Sequence, residues 1–326
     1  MLYPLTFHPI FKERVWGGRK LEQLYQKALP ADVPIGESWE ISDRPGDESI
    51  VSNGPLAGKS LRWLMENQQD ELLGSAMAQG DRFPLLVKIL DAQDKLSLQV
   101  HPPAAVAPKL GGEPKTEMWY IAAAASEADI YAGLKSGVTR AEFEEKIQTG
   151  AVAECFHRIV THPGDALFLP SGRVHAIGAG NVIFEIQQNS DTTYRVFDWN
   201  RAGLDGQPRA LHVAEALDSI DFADFEPGLI AGDVTQGPNY SSRTLVNDPL
   251  FKVHEVTLRS GEYHLARVLL PRIIGLLEGA VFVKAGENSV ALRPGQFSLI
   301  PACLGTAQLI ATAPATLLVT TPAGIQ

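Results

Sequence analysis

The amino-acid sequence predicts a mainly β fold made of two barrels with a few short helices. The first observation is a series of short apolar runs separated by glycine, proline, asparagine and aspartate, which is typical of many strands joined by tight turns. We interpret as strands the runs at 85–90, 96–100, 118–122, 166–169, 182–187, 267–269, 281–284 and 316–320. The second observation is that neither a glycine-rich dinucleotide motif nor a phosphate-binding loop motif is present, which disfavours a doubly wound α/β fold.

The third observation is an internal repeat that indicates two related barrels. Residues 162–171 read HPGDALFLPS and residues 293–302 read RPGQFSLIPA, so each block has a Pro-Gly turn, a short apolar run and a second proline. His175 follows the first block and no histidine follows the second, so we expect metal chemistry only in the first barrel. Loop-like sequences near 225–245 lead us to predict a metal-binding domain at 1–235 and a metal-free domain at 236–326.

Two helices are predicted among the strands. Ser60 is a candidate N-cap for a helix that continues to about residue 73, with leucines along one face. Thr139 and Glu142 have the spacing of a capping box, and Gly150 can end the helix that follows them. We interpret both helices as structural.

Composition and charge restrict the possible partners. A formal net charge of −10 argues against nucleic-acid binding, which needs a basic face. No run approaches the roughly 20 consecutive apolar residues of a membrane span, and the first ten residues lack the pattern of a secretory signal. Cys155 and Cys303 are isolated, so we expect both to be reduced. The sequence thus predicts a cytoplasmic protein, monomeric or weakly dimeric, without a membrane or nucleic-acid partner.

A row of polar side chains on one predicted strand is the first candidate for chemistry. Side chains alternate between the two faces of a strand, so Ser97, Gln99 and His101 would share the face opposite three aliphatic residues. Two prolines follow His101 and would hold it at the end of the strand. A single alternating strand could equally turn its polar face to solvent, so the interpretation depends on other segments.

Two further segments favour a metal site. Lys115 and Glu117 would share one face of the next strand, and His175 follows the first Pro-Gly block. If a barrel interior brings these segments together, two imidazoles, a carboxylate and an amide oxygen can bind Zn²⁺ or a similar divalent cation. An amide is a weak ligand, so Gln99 could instead hydrogen-bond to a ligand.

Six motifs, in order along the first two-thirds of the chain, resemble the short bacterial form of type I mannose-6-phosphate isomerase, also called phosphomannose isomerase. They are WGG at 16–18, GESWEIS at 36–42, LSLQVHP at 96–102, KTEMWY at 115–120, PSGRVHA at 170–176 and EIQQNSDTTYR at 185–195. The last third is similar only loosely. The resemblance implies cupin-like jelly-roll barrels and one zinc ion per chain, in an enzyme that interconverts mannose 6-phosphate and fructose 6-phosphate. The helical domain that larger members insert between the barrels is missing here, which leaves the closure of the pocket open.

The resemblance also implies roles for individual residues. It makes the metal ligands Gln99, His101, Glu117 and His175. It makes Arg195 the active-site arginine, and it places Ser97 and Lys115 at positions that hold the phosphate of the substrate. Lys115 would supply the local positive charge that an acidic protein needs for binding a sugar phosphate.

The implied reaction moves a proton between C2 and C1 through an enediol or enediolate, so negative charge on oxygen must be stabilised. We hypothesise that the metal and Arg195 share this task. The alternative for Arg195 is an ion pair with Asp191 or Asp198. The proton-transferring base is either Glu185 or a metal-bound water, and the sequence leaves both open.

Two other functions fit parts of the pattern. Two histidines and a carboxylate also suit an iron oxygenase of the same fold, although Lys115 and Arg195 favour a phosphorylated substrate. A non-catalytic sugar-binding or regulatory barrel could keep the metal for structure, although the chain shows no helix-turn-helix and no basic tail.

Overall fold

The computed structural model describes residues 2–75, 77 and 80–323, and in it the chain forms two pairs of β-sheets with few helices. Each pair consists of a six-stranded sheet and a shorter sheet, and the strand orders are those of open sheets. The predicted mainly β fold is therefore confirmed. No helix in this described part of the chain has the length and apolar character needed to cross a membrane.

The first pair of sheets and its connections use the larger part of the chain. The strands of this part are β1 (Phe7–His8), β2 (Ile10–Gly18), β3 (Ile35–Ile41), β4 (Asp43–Arg44), β5 (Asp47–Glu48), β6 (Ile50–Val51), β7 (Leu85–Ala92), β8 (Leu98–Val100), β9 (Glu117–Ala124), β10 (Asp129–Leu134), β11 (Phe156–Val160), β12 (Ala166–Leu169), β13 (His175–Ile177), β14 (Asn181–Gln188) and β15 (Tyr194–Phe197). Four of these short strands form two separate two-stranded sheets, β1 with β6 and β4 with β5. The helices of this part are α1 (Lys20–Tyr25), α2 (Leu61–Asn67), α3 (Gln69–Leu73), α4 (Arg140–Thr149) and α5 (Val213–Ser219).

The second pair of sheets follows without another α-helix among the described residues. Its strands are β16 (Val234–Gln236), β17 (Tyr240–Asn247), β18 (Phe251–Leu258), β19 (Gly261–Leu265), β20 (Arg272–Glu278), β21 (Val281–Ala285), β22 (Asn288–Leu292), β23 (Phe297–Ile300), β24 (Ala307–Ala311) and β25 (Ala315–Pro322). The predicted domain boundary at 235/236 falls inside β16, and it stays a prediction.

The two pairs of sheets share one strand order. The six-stranded sheets run β12-β9-β14-β7-β3-β2 in the first pair and β23-β20-β25-β18-β17-β16 in the second. The shorter sheets run β11-β10-β13-β8-β15 and β22-β21-β24-β19. The strands of the two Pro-Gly blocks, β12 and β23, stand at equivalent edges. The internal repeat read from the sequence thus corresponds to a repeated topology.

Both pairs enclose apolar cores, and one core is common to them. The second pair has a cluster that includes Val256, Val283 and Leu309, from strands of both its sheets. The largest cluster combines residues of the first pair, such as Phe184, with Phe297 and others of the second. Burial of these side chains stabilises the packing of the sheets by about 25 cal/mol for each Å² removed from water.

The predicted helices are found, with one change. Thr139 accepts a hydrogen bond from the Glu142 amide and Gly150 ends α4 at a φ of 75°, as predicted. Ser60 likewise accepts from the Trp63 amide. The segment after Ser60 forms two helices and not one, because Gln68 adopts a non-helical backbone with φ −143° and ψ 31°.

One predicted strand is wrong. Residues 267–269 lie in the connection between β19 and β20, where the Val268 amide donates to the Gly305 carbonyl and Leu269 is 54% exposed. The apolar run therefore has no neighbouring strand with which to form a ladder. The prediction that neither cysteine forms a disulfide is confirmed, since Cys155 and Cys303 are both free.

Candidate active site and metal centre

Three neighbouring strands of the shorter sheet bring three of the predicted site residues side by side. On β8, Gln99 is paired with His175 of β13 on one side and with Arg195 of β15 on the other. Paired residues on adjacent strands point to the same face of a sheet, so these side chains share one surface. Segments far apart in sequence thus meet as the prediction required.

The predicted alternation along 97–101 is observed. The Ser97 hydroxyl donates to Oε1 of Gln99 at 3.2 Å, and His101 is 1% exposed on the same side. The two aliphatic side chains between these residues pack in the opposite core. Leu96 differs from the prediction because it precedes the strand, and it packs in the core that contains Trp16 and Trp119.

Glu117 completes the cluster from the facing sheet, as the first residue of β9. Its Oε2 lies 3.4 Å from Nε2 of His101, and its Oε1 lies 3.5 Å from Nε2 of His175. One ligand atom from each of these three buried residues lies within 4.8 Å of the others. The two imidazoles and the carboxylate therefore point into one small space.

Backbone carbonyls fix the orientation of both imidazoles. Nδ1 of His101 lies 2.8 Å from the Thr192 carbonyl oxygen, and Nδ1 of His175 lies 2.9 Å from the Arg173 carbonyl oxygen. A carbonyl can only accept, so each Nδ1 carries the proton and each Nε2 keeps a free lone pair. Both lone pairs face Glu117, and this arrangement is typical of histidines that bind a metal.

The donor atoms of this cluster fit a cation. Within the described part of the chain, Nε2 of His101 and both carboxylate oxygens of Glu117 are buried without a hydrogen-bond partner. Leaving such acceptors unpaired costs about 1–3 kcal/mol each, more for a charged group. Two neutral nitrogens and a carboxylate are also a donor set that zinc prefers.

The ionisation states are the ones that metal binding needs. Burial, assisted by the charge of Lys115, lowers the pKa of His101 to about 3, and burial also lowers the pKa of His175. Burial alone would raise the pKa of Glu117, but the charges of Lys115 and His101 bring it below its usual range. The imidazoles are therefore neutral and the carboxylate is ionised near pH 7.

The two predicted substrate-binding residues lie beside the cluster. Nζ of Lys115 is 3.4 Å from Oε2 of Glu117, and the residue is 4% exposed. Ser97 is 3% exposed and hydrogen-bonds to Gln99. Both line a pocket of about 530 Å³ that Arg195 also lines. Their contact with a substrate stays a prediction.

Sequence reasoning missed a buried charged network in the same pocket. Nζ of Lys88 lies 3.2 Å from Oε2 of Glu185 and 3.9 Å from Oε2 of Glu37. The indole of Trp119 donates to Glu185 at 3.0 Å, and the indole of Trp39 donates to Glu37 at 2.6 Å. The signal in the sequence was a lysine inside an aliphatic run, because every residue of β7 is buried.

The two carboxylates of this network differ in their ionisation. Burial and, next, the negative charge of Glu117 raise the pKa of Glu185. Burial would also raise the pKa of Glu37, but the charges of Lys88 and Arg14 lower it to about 2. Glu185 is thus the carboxylate of the pair with the greater affinity for a proton.

Arg195 makes neither of the ion pairs considered as alternatives. Both oxygens of Asp198 accept hydrogen bonds from Arg209, and Arg201 also pairs with Asp198. None of the hydrogen bonds or ion pairs between described residues uses the Arg195 guanidinium, and its Nε is buried. Burial and, next, the charge of Arg209 lower the pKa of Arg195. This guanidinium is available for a ligand.

Comparisons with known proteins agree with this site. The family model described as phosphomannose isomerase type I, catalytic domain, matches residues 5–113. Mannose-6-phosphate isomerase ManA of Bacillus subtilis is 36% identical over 308 residues, which are 94% of this chain and 95% of that protein. A mannose-6-phosphate isomerase of Streptococcus mutans is 34% identical over 302 residues, 92% of this chain and 93% of that protein.

Solved structures share the whole fold. The crystal structure of the mannose 6-phosphate isomerase from Bacillus subtilis matches with a TM-score of 0.89 and 33% identity, covering 98% of this chain and 99% of that one. A crystal structure of a mannose 6-phosphate isomerase bound with zinc and yttrium matches with a TM-score of 0.75 and 18% identity, covering 99% and 100%. These matches cover nearly the whole chain, so the mainly β architecture of both halves is shared with the solved isomerases.

Proposed function

The chain belongs to the type I phosphomannose isomerase family, and from this premise we propose that it is a zinc enzyme that interconverts mannose 6-phosphate and fructose 6-phosphate. The observation that carries the proposal is the buried cluster of His101, Glu117 and His175, in which Nε2 of His101 and both Glu117 oxygens lack a hydrogen-bond partner among the described residues. This cluster lies beside a pocket that is lined by Gln99, by Lys115 and by Arg195. Membership of an isomerase family does not support the oxygenase and the non-catalytic alternatives.

One zinc ion per chain is part of the proposal. His101, Glu117 and His175 would hold it, and when bound it would act as a Lewis acid on a substrate oxygen. Gln99 is proposed as a fourth ligand, because its amide nitrogen lies 3.2 Å from Nε2 of His175 and half a turn of the amide exchanges nitrogen for oxygen. The related structure bound with zinc supports this choice of metal.

We assign the proton transfer to Glu185. This carboxylate lines the pocket, and Trp119 and Lys88 fix its position by the contacts described above. Burial raises the pKa of Glu185 toward neutrality, where a carboxylate is a more effective base. Glu185 takes the proton from C2 of the open-chain aldose and returns it to C1. The proton of the C2 hydroxyl is lost as O1 gains one, which leaves a ketone at C2.

Arg195 stabilises the charge of the enediolate. Removal of the C2 proton places negative charge on O1, and a guanidinium with unused donors can accept this charge by hydrogen bonding without reorganisation. The pairing of Arg195 with Gln99, and its presence in the lining of the pocket, support this role, because Gln99 contacts His175 of the metal cluster. Ser97 and Lys115 bind the substrate in the same pocket and fix its orientation.

A coupled assay for fructose 6-phosphate tests the proposal directly. We expect the zinc-loaded protein to form fructose 6-phosphate from mannose 6-phosphate, and we expect a chelator to abolish and added zinc to restore the activity. Iron-loaded protein in an oxygen electrode is the comparison. Oxygen consumption without isomerisation, or no fructose 6-phosphate from the zinc-loaded protein, would contradict the proposed function.

A further inference from the structure

A second pocket, of about 510 Å³, lies between the two halves of the chain, and nothing in the proposed reaction uses it. It is nearly as large as the catalytic pocket of about 530 Å³. Boundaries between domains are common positions for small-molecule sites. We call this space the seam pocket, and its main lining residues are Phe11, Tyr25, Lys27, Glu40, Gln296 and Phe297.

The seam pocket and the catalytic pocket share two strands but no described residue. Glu37 of β3 lines the catalytic pocket, whereas Glu40 of the same strand lines the seam pocket. β2 is used in the same way, with Arg14 in the catalytic pocket and Phe11 in the seam pocket. The seam pocket is therefore a different space from the site of the proposed reaction.

A buried ion pair forms the polar part of the seam pocket. Nζ of Lys27 lies 2.7 Å from Oε1 of Glu40, and the two side chains are only 7% and 6% exposed. Lys27 also donates to the Gly295 carbonyl at 3.0 Å, and Ser38 donates to the same Oε1. No hydrogen bond between described residues uses Oε2 of Glu40, and the ammonium keeps one proton unused. A buried ion pair is costly unless its remaining donors and acceptors are satisfied, so this pair favours a polar ligand.

The second half contributes a further donor and a close packing contact. Oε1 of Gln296 accepts a hydrogen bond from the Arg293 amide at 2.9 Å, which orients the side-chain amide and leaves its nitrogen for a ligand. A Cβ at position 295 would lie 2.5 Å from Cγ of Tyr25, so Gly295 lets this ring pack directly against the second half. The polar and aromatic groups of the seam pocket are thus held in place before a ligand binds.

The aromatic lining and the balanced charge indicate the class of ligand. Phe7, Phe11 and Phe297 line the pocket, and aromatic rings bind the C–H faces of sugar rings. An acceptor on Glu40 beside a donor on Lys27 matches two neighbouring hydroxyl groups of a hexose. Lys27 is the only lysine or arginine among the described lining residues, and Glu40 already neutralises it, so a phosphate would meet no free positive charge.

We propose that the seam pocket is a binding site for a neutral hexose, in which Glu40 and Lys27 hold neighbouring hydroxyl groups and Gln296 holds a third. The site is separate from the proposed isomerase site and selects the opposite kind of ligand, a sugar without phosphate. Because Glu40 belongs to the first half and Gln296 to the second, the bound sugar bridges the two halves.

A titration with methyl α-mannoside, followed by saturation-transfer NMR, tests the inference. This glycoside is neutral, and it does not open to the aldose that the proposed reaction needs. We expect the unaltered protein to bind it with a dissociation constant on the order of 1 mM, which is ordinary for a ligand of this size. Mannose 6-phosphate at a concentration that saturates the catalytic pocket should not displace it. Displacement, or no binding of the glycoside, would overturn the inference.

Two substitutions on β22 form a matched pair. Ala291 and Ser289 are both exposed on this strand, but only Ala291 lines the seam pocket. Ala291→Trp fills the pocket without removing any of its polar contacts, so we expect it to abolish binding of the glycoside. Ser289→Trp should bind it normally, and both variants should keep any isomerase activity of the unaltered protein. Binding retained in Ala291→Trp, or lost equally in both variants, would contradict the site.

Three further variants identify the groups that hold the sugar. Glu40→Gln should weaken binding by about 10- to 100-fold, because a hydrogen bond to a charged group is lost. If the unpaired Lys27 prevents this variant from folding, Gln296→Ala tests the same site at an exposed position, with an expected loss of about tenfold. Arg195→Gln should bind the glycoside normally. Weaker binding in Arg195→Gln would place the sugar in the catalytic pocket and overturn the inference, as would unchanged binding in Gln296→Ala.

Discussion

The two halves of the molecule differ most clearly at one equivalent position. Glu117 begins β9 and is paired with Leu169 of β12, whereas Arg272 begins β20 and is paired with Ile300 of β23. Leu169 and Ile300 occupy the same place in the two Pro-Gly blocks, so Glu117 and Arg272 correspond. A buried carboxylate with unpaired oxygens in the first half is replaced by a buried guanidinium in the second.

Arg272 connects the elements that correspond to those around Glu117. Its Nη1 donates to the Ala266 carbonyl at 2.9 Å, directly after β19, as His101 follows β8 directly. Its Nη2 donates to the Gly305 carbonyl at 2.9 Å, in the turn that leads to β24. The first half thus assembles ligand atoms that need a bound cation, whereas the second half supplies a positive charge from its own arginine. One topology satisfies the same interior position in two ways.

The side chains next to Glu117 and Arg272 in the interior also differ between the two halves. The registers of β14 on β9 and of β25 on β20 place Val319 where Glu185 stands, since Glu185 is paired with Trp119 and Val319 with Ile274. Val319 belongs to the apolar core of the second half. The fold alone therefore does not create the site; charged side chains at particular interior positions do.

Glu117→Gln should have the largest effect on the first half. The change removes the only charged ligand and the partner of Lys115, so we expect zinc binding to be lost and activity to fall by at least about 10⁴-fold. Metal analysis together with the coupled assay measures both quantities. The corresponding change Arg272→Gln is the control, and we expect it to keep the zinc content of the unaltered protein. Zinc retained in Glu117→Gln would contradict the assignment.

Glu185→Gln should have the second-largest effect on activity. The amide keeps the shape but cannot accept the C2 proton, so we expect kcat to fall by about 10²- to 10⁴-fold. Zinc content and the KM for mannose 6-phosphate should change little, because neither depends on this carboxylate. A parallel loss of zinc would indicate that Glu185 supports the metal site and is not the base.

Arg272→Met should have the smallest effect on activity and a measurable effect on stability. Methionine fills similar space but leaves two carbonyls without donors, so we expect the free energy of unfolding to fall by about 1–3 kcal/mol. Urea denaturation measures this loss, and the folded variant should keep its zinc and its kcat. Arg272→Lys should lose less, since an ammonium keeps the charge but cannot hold two carbonyls in a fixed fork. Unchanged stability in both variants would show that Arg272 is not the structural counterpart of the cluster.

Local sequence patterns predicted those parts of the molecule that local physics determines. The alternation along 97–101, the cap at Thr139 and the repeated Pro-Gly blocks all depend on neighbouring residues, and all are observed. The break at Gln68 was missed because the apolar spacing continues across it. The run at 267–269 looked like a strand because strand propensity cannot show whether a partner strand is present.

Long-range pairing decided the rest of the site. From the sequence, Arg195 could have paired with Asp198, but Arg201 and Arg209 occupy that carboxylate from the loop that follows. The partners of Lys88, Glu37 and Glu185, come from strands on either side of β7, which no single segment reveals. The correspondence of Glu117 and Arg272 likewise emerged only from the strand registers.

The core shared by the two halves bears on how the protein unfolds. Phe184 and Phe297 stack within it at 5.5 Å between ring centroids, Leu5 forms a bridge with Leu299, and the Tyr120 hydroxyl donates to Glu255. Unfolding of either half would expose apolar surface of the other half to water, so each half would be less stable if the other were unfolded. Although the two halves repeat one topology, they do not form independent folding units. We therefore expect heat to denature the chain in one cooperative transition.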